Sequence, residues 1–312
     1  MIIEDCPCPE FACLNKTYCY NLSAYDPDGD SLSYSLVPCR GEGCLEMSIP
    51  NIYNYPQVVG GGELTIDSIT GTLCWVNPEI QGEYNIAIKI SEYRSGIYIG
   101  AVLQDMQLTV KACSHDQPEI EEQADVCVVV GESVAIDVVA NDPSEEGHIY
   151  ATGAIFNLDD NPAQFVEGTS NLTVTGQFIW TPNCAQASYE AYPMIIHAED
   201  FNPTLQLSDL MDFNISVKIP PIQNVIVNPF GSAMQINWSP YNSNCQFDHY
   251  NIYRSTSVDT NGDNCCGINE AENMGYQLIG TSVDTSYLDN SDLEIGNEYC
   301  YLVTFVNSNG IA

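Results

Sequence analysis

Thr70-Gly71-Thr72-Leu73-Cys74-Trp75-Val76-Asn77-Pro78 returns further along the chain as Thr175-Gly176-Gln177-Phe178-Ile179-Trp180-Thr181-Pro182-Asn183. Each copy reads as a Thr-Gly turn, a short alternating strand ending in Trp, and a break marked by Pro. A repeat too widely spaced for a solenoid points to whole domains in tandem, with one strand at the same place in each. Outward from that strand the match continues. Tyr84–Glu92 falls on Tyr192–Asp200, and Tyr20–Asp26 falls on Ile136–Asp142, both of the last two running into Asp-Pro. Final strands are expected at Gln104–Lys111 and Asp212–Ile219. The first module is therefore assigned residues 1–113 and the second 114–219, ahead of a stiff Pro220-Pro221 joint.

Period-two alternation recurs throughout and helical periodicity is nearly absent. Ile86, Ile88 and Ile90 alternate with Ala87 and Lys89, and Phe213, Ile215 and Val217 repeat the pattern. Turn signals such as Asp28-Gly29, Gly60-Gly61-Gly62 and Asn309-Gly310 separate the strands. Many short strands with one buried face predict an all-β chain of three tandem Greek-key sandwiches. In the third segment, 220–312, Trp238 closes the second strand and Tyr250–Arg254 forms the third. Leu293, five turn residues and Tyr299 resemble the tyrosine corner of fibronectin type III domains, where the Tyr hydroxyl bonds back to the turn backbone. The chain stops at Ala312, so this sandwich is expected to lack its last strand, to be supplied by further residues or by another chain.

The chain has 312 residues, 45% of them hydrophobic, enough for real cores. Forty-two acidic against 7 basic residues give a formal charge of −35. Such a surface repels phosphate backbones and anionic bilayers, which excludes nucleic acid and direct membrane insertion as expected partners, and it attracts divalent cations. The plainer reading is that the acidity keeps a secreted protein soluble or suits a salty habitat. Fourteen cysteines, without CxxC…CxxC spacing, and four scattered histidines favour disulfides over zinc, and hence an oxidising compartment. Met1–Asp5 has neither the basic nor the apolar region of a signal peptide, so a removed signal or an interior piece of a longer chain is expected. No Gly-x-Ser-x-Gly, HExxH or Gly-rich phosphate loop is present, and the chain is read as non-enzymatic.

Together these phrases resemble a known class. Asp26-Pro27-Asp28-Gly29-Asp30 followed by Ser31-Leu32-Ser33-Tyr34 is similar to the opening of cadherin-like and Ig-like bacterial surface domains, and the Thr-Gly-x-x-x-Trp strand matches the same domains. Two such modules, Pro-Pro, then a fibronectin type III unit resemble large secreted surface proteins of gliding bacteria, with a gliding-motility-associated C-terminal domain. That resemblance implies type IX secretion, an extracellular or bacterial cell-surface location, and a role in adhesion or motility. The sorting domain itself is not in this sequence.

Asp26, Asp28 and Asp30 alternate along a Gly-containing turn, so their carboxylates can converge on one hard cation, with calcium the expected cofactor. No EF-hand glutamate follows. Glu92, at the end of the Ile86–Ile90 strand, is the residue expected to complete the set. Asp142, with Glu145, Glu199 and Asp200, is the weaker equivalent in the second module, and Asp259, Asn261 and Asp263 repeat a DxNGD pattern in the third. Each competes with a simpler reading as a solvated turn or polar loop. Cys39 and Cys44 flank a loop short enough to close locally. Cys127 and Cys184, alone inside the second module, are expected to pair with each other. Cys245, Cys265, Cys266 and Cys300 form a set of four in the third, whereas Cys6, Cys8, Cys13, Cys19, Cys74 and Cys113 allow fifteen pairings. Asp30-Ser31-Leu32 and Asp67-Ser68-Ile69 resemble O-glycosylation sites of such surface proteins, at Ser31 and Ser68. Trp75 and Trp180 are read as core rather than ligand-stacking residues.

The resulting expectation is a rigid, disulfide-braced structural or adhesive rod: a stalk, adhesin or filament subunit. Its partners would be other surface proteins, copies of itself, or glycans. The alternatives are an accessory region of an extracellular hydrolase and a glycan-binding module.

Overall fold

The computed structural model describes residues 1–3, 10–26, 30–40, 55–142, 146–168, 173–188, 191–201, 206–219, 222, 224–241, 245–256, 271 and 275–308. The chain is all-β, as its alternation predicts. Its first strands are β1 (Ile2–Ile3), β2 (Glu10–Cys13), β3 (Tyr18–Tyr20), β4 (Ala24–Tyr25), β5 (Ser31–Val37), β6 (Glu63–Ile66), β7 (Leu73–Val76), β8 (Gly82–Arg94) and β9 (Ile97–Lys111). They build one sheet of order β2-β9-β8-β5, another of order β3-β7-β6, and a separate antiparallel pair, β1-β4. β3 lies beside β7 and β5 beside β8, so successive connections cross between sheets, which is a Greek-key path. β2 runs parallel to the end of β9, and every other pairing in the two sheets is antiparallel. The alternating residues meet as expected: Ile86, Ile88, Ile90 and Leu108 of one sheet pack on Tyr18, Leu73 and Trp75 of the other.

β10 (Glu119–Ile120), β11 (Val126–Val129), β12 (Val134–Asn141), β13 (Gly147–Thr152), β14 (Gln164–Glu167), β15 (Thr173–Trp180), β16 (Tyr192–Asp200) and β17 (Ser208–Lys218) repeat the plan as sheets β10-β12-β15-β14 and β11-β17-β16-β13. The parallel β11–β17 pair repeats the parallel β2–β9 pair. Finally β18 (Ile226–Phe230), β19 (Ala233–Asn237), β20 (Phe247–Ser255), β21 (Gln277–Ser282), β22 (Ser286–Asp289) and β23 (Cys300–Asn307) form sheets β18-β19-β22 and β21-β20-β23. By its contacts the chain divides into two compact units. One comprises Met1–Ala124, Ala135–Trp180 and Tyr192–Asn214; the other comprises Asp125–Val134, Thr181–Ala191 and Ile215–Ala312.

The repeated phrase has a packing cause. Trp75 and Trp180 are buried; each donates its indole N–H to a backbone carbonyl, of Gly61 at 2.8 Å and Asn161 at 2.9 Å. Each also meets a tyrosine edge-on, Tyr84 at 4.9 Å and Tyr192 at 5.5 Å between ring centres. These two tyrosines occupy equivalent places in the aligned repeats. The glycines serve different ends. Gly71 has φ +79°, and a Cβ there would lie 2.7 Å from the Tyr34 ring, whereas a Cβ on Gly176 would meet the Phe165 ring at 2.3 Å. In the last sandwich the backbone N–H of Glu294 donates to the Tyr299 hydroxyl at 2.8 Å, the bond that the Leu293–Tyr299 spacing predicts.

Candidate metal centre

Three strand ends bring together the carboxylates that the sequence singles out. Asp26 follows β4 and Asp30 precedes β5. Because Leu32 of β5 pairs with Glu92 of β8, the glutamate is carried to the same corner. One oxygen from each of Asp26, Asp30 and Glu92 lies within 4.8 Å of the others. A cation held at 2.3–2.6 Å from each oxygen requires separations of that order, so the donor set fits calcium in spacing and hardness. The Asp30 backbone N–H donates to Asp26 Oδ1 at 3.3 Å, closing the turn.

One cation of the chain already faces this corner. The backbone nitrogen of Met1 lies 2.7 Å from Asp26 Oδ2, and Arg94 makes a bidentate contact with Asp30, its Nη2 2.6 Å and its Nε 2.8 Å from the two oxygens. Arg94 holds the Asp30 carboxyl below the usual carboxylate range. Burial, then the neighbouring Asp26 carboxylate, push Glu92 upward. The corner is thus three carboxylates with one guanidinium among them, and Glu92 is the least compensated. Sequence reasoning missed Arg94, although it stands only two residues beyond Glu92.

In the second module Asp142 and Asp200 are buried at 1% and 0% exposure. Asp200 Oδ2 lies 3.0 Å from His115 Nε2, while Glu199 accepts from the Tyr150 hydroxyl at 2.7 Å and from Gln206 at 2.9 Å. Among the described residues these carboxylates enter no three-ligand cluster. Asp28, Asp259, Asn261, Asp263 and Glu145 lie outside the described residues, as do Cys44, Cys265 and Cys266. Ser31 and Ser68 are exposed; Ser31 donates to the Tyr93 carbonyl, and Ser68 sits in a turn built by Asp67, whose carboxylate accepts from the N–H groups of Ile69 and Thr70.

Three disulfides join described residues: Cys13–Cys113, Cys19–Cys74 and Cys184–Cys245. The last corrects two expectations. Cys184 does not pair with Cys127, and Cys245 does not belong to a closed set with Cys265, Cys266 and Cys300. Cys184 opens a short turn capped by Asn183, whose side chain accepts from Ala185 N–H while Gln186 accepts from Asn183 N–H. That cap places its Cα 5.2 Å from Cys245. Cys127, on β11 opposite Ser216, is disulfide-bonded as well, but not to Cys184. Cys300 is a free, exposed thiol, and Cys39 is also free, which overturns the local Cys39–Cys44 ring. Burial and the nearby Asp105 carboxylate raise the Cys39 thiol, suppressing the thiolate that bridge formation needs.

Two buried networks gave no signal in the sequence. The Ser23 hydroxyl lies 2.6 Å from that of Thr152, which lies 2.9 Å from His197 Nε2. In the last sandwich Asp289, 1% exposed, accepts from Arg254 Nη1 at 2.9 Å, the Tyr301 hydroxyl at 2.7 Å and Ser291 N–H at 3.2 Å.

No family model and no curated protein matches the chain. Solved structures do, at low identity. A three-Ig segment of titin is 12% identical over 94% of this chain and 93% of that one, with a TM-score of 0.30. The sialic acid binding region of a Streptococcus sanguinis adhesin is 9% identical over 74% and 91%, with a TM-score of 0.29. Dpr2 Ig1-Ig2, solved in complex with DIP-Theta, is 10% identical, with a TM-score of 0.23; this chain aligns over 67% of its own length and spans 61% of that one. The fold assignment rests on strand order and register.

Proposed function

We propose that this chain is a non-catalytic structural or adhesive segment of a secreted or cell-surface protein, its tandem β-sandwiches braced by sulfur bridges and by calcium. The observation that carries the reading is the set of three disulfides, closing sequence separations of 100, 55 and 61 residues. Such bonds persist in oxidising compartments and are reduced in the cytosol. Partners in this reading are other surface proteins or glycans. The resemblance to surface proteins of gliding bacteria adds type IX export and glycosylation at Ser31 and Ser68.

Calcium would be held by Asp26, Asp30 and Glu92, where it would supply charge neutralisation and tie the ends of β4, β5 and β8. At about ten times its dissociation constant it stabilises the sandwich by about 1.4 kcal/mol. The test has two arms. Alkylation of native protein without reductant, then peptide mapping, should leave the six bridged cysteines unmodified; labelling of most of them overturns the extracellular reading. Calorimetry with calcium against EDTA should show a rise in Tm that Glu92→Gln removes, and an unchanged Tm removes calcium from the proposal.

A further inference from the structure

Cys19 and Cys74 stand directly opposite each other on the antiparallel strands β3 and β7. Their neighbours Tyr18, Tyr20, Leu73 and Trp75 are buried in the core, so alternation turns both cysteines to the outer face, where each is half-buried. The other two bonds between described residues are built differently. Cys13 is 4% exposed and packs with Phe11, Leu207 and its partner Cys113, while Cys245 is 7% exposed within the cluster of Trp238 and Tyr250. In each of these bonds the other cysteine, Cys113 or Cys184, is half-buried. Thiol–disulfide exchange needs one sulfur that an incoming thiolate can reach and a second that leaves as a thiolate. Attack on Cys113 or Cys184 must expel a thiolate into apolar packing, where burial disfavours its charge. Attack on Cys13 or Cys245 is blocked by that packing. Cys19–Cys74 meets neither obstacle.

The surroundings select the thiol. Cys19 shares a groove with Glu119, Glu122, Asp209 and Asp212, and Cys74 lines a smaller hollow with Asp67 and Asp212. Lys16, the one base among the described residues lining either, is paired with Asp116. An anionic thiolate is repelled from this wall, whereas a thiol bearing an ammonium group is drawn to it. We infer that Cys19–Cys74 is a thiol–disulfide exchange site that opens to cationic aminothiols while Cys13–Cys113 and Cys184–Cys245 stay closed. The aminothiol's thiolate attacks Cys19 Sγ, the S–S bond breaks, and Cys74 leaves as a thiolate that takes a proton from water. A second aminothiol attacks the mixed disulfide and expels the Cys19 thiolate, which is protonated in turn. Two thiols are thereby oxidised to one disulfide, and the cystine is reduced to two cysteines. The pairs Tyr18–Trp75 and Tyr20–Leu73 flank the bond on the same ladder and keep the two thiols opposite each other for reclosure. The inference deepens the sulfur-braced reading and rests on it.

The test uses the whole native chain without denaturant. An unreduced digest first shows the Cys19–Cys74 linked peptide; its absence would overturn the inference and the sulfur-braced reading together, whereas the later outcomes bear on the inference alone. The chain is then exposed at about pH 8.5, where free thiols ionise, to cysteamine, mercaptoethanol or mercaptopropionate, and quenched aliquots are alkylated and mapped. With cysteamine, Cys19 and Cys74 should become labelled about tenfold or more faster than Cys13, Cys113, Cys184 and Cys245. The ratio of cysteamine to mercaptopropionate rates, corrected for thiolate fraction, should be larger at Cys19–Cys74 than at the other two bonds. It should fall as NaCl rises from about 0.05 to about 0.5 M, because salt screens the carboxylates. Glu119→Gln with Glu122→Gln, both exposed, should lower that ratio at Cys19–Cys74 and leave Tm in place. Replacing the thiol by cystamine should restore the linked peptide. Labelling of Cys19 and Cys74 no faster than of the other four would overturn the inference. So would a ratio no larger than elsewhere, one indifferent to salt or to the two glutamines, or a bond that does not reclose.

Discussion

Replacing Cys184 and Cys245 together by alanine isolates the bridge that overturns the expected Cys127–Cys184 pairing. The two residues are 61 apart, and the chain-entropy relation −2.1 − 1.5R ln n then gives about −14 cal/mol/K, or about 4 kcal/mol at 25 °C. Cys245 is buried in the cluster of Ile236, Trp238, Tyr250, Ile252, Val303 and Phe305, with Cys184 packed against it, so lost sulfur contacts add to the penalty. The effect should be confined to the unit that holds the bond. Hydrogen exchange by mass spectrometry resolves this: the slowest amides of β20 and β23 should exchange about a thousandfold faster, since each 1.36 kcal/mol is a factor of ten. Amides of β8, in the other unit, should keep their rates. The bond itself is verified first, by a Cys184–Cys245 linked peptide in an unreduced digest. If β20 and β23 keep their protection once the bridge is gone, the bond does not brace that core; if β8 loosens equally, the two units do not unfold separately.

Two further outcomes follow from the buried networks. His197, 5% exposed, is held down to about 4 by burial. The unfolded chain therefore binds the proton first, and the histidine's contribution is full above about pH 6.5 and is lost as pH falls toward 4, worth about 3 kcal/mol in all. Protonation of the many carboxylates acts in the same range, so the measurement is the difference in urea midpoint between the unmodified chain and His197→Gln from pH 7 to 4; a constant difference refutes the assignment. Asp289→Ala leaves Arg254 without its buried carboxylate and should cost about 3 kcal/mol, read as a lower urea midpoint at unchanged m-value. A loss near zero would mean that water replaces the carboxylate freely.

Strand alternation was the most legible feature because it is local. One buried face forces every second side chain inward, and the aligned phrases around Trp75 and Trp180 carried that pattern into two sandwiches. The Tyr84 and Tyr192 partners fell at matching offsets for the same reason. The Leu293–Tyr299 spacing announced its hydrogen bond because donor and acceptor belong to one turn. Cysteine pairing obeys no such local rule. Whether Cys184 meets Cys127 or Cys245 depends on which loop a capped turn presents to which strand end, and counting cysteines within a module assumes that modules are covalently closed. Cys184–Cys245 breaks that assumption, and a free Cys39 shows that proximity in sequence is no guarantee of a bond.

The corner of Asp26, Asp30 and Glu92 stands between these cases. The Asp-x-Asp-x-Asp turn was visible at once, and Glu92 was reachable because strand register carries a residue at the end of β8 to the start of β5. What the turn could not reveal is that Arg94 comes to the same place. It changes the chemistry as well as the inventory. Three carboxylates alone would repel one another and draw a divalent ion strongly, whereas here one of the three is already paired with a guanidinium. An incoming calcium ion must then displace or turn aside the Arg94 guanidinium, and the affinity falls by whatever that bidentate pair contributes. Arg94→Ala should therefore tighten calcium binding while Glu92→Gln weakens it. A corner that served only as an internal ion-pair cluster would instead lose stability on Arg94→Ala and gain nothing from calcium.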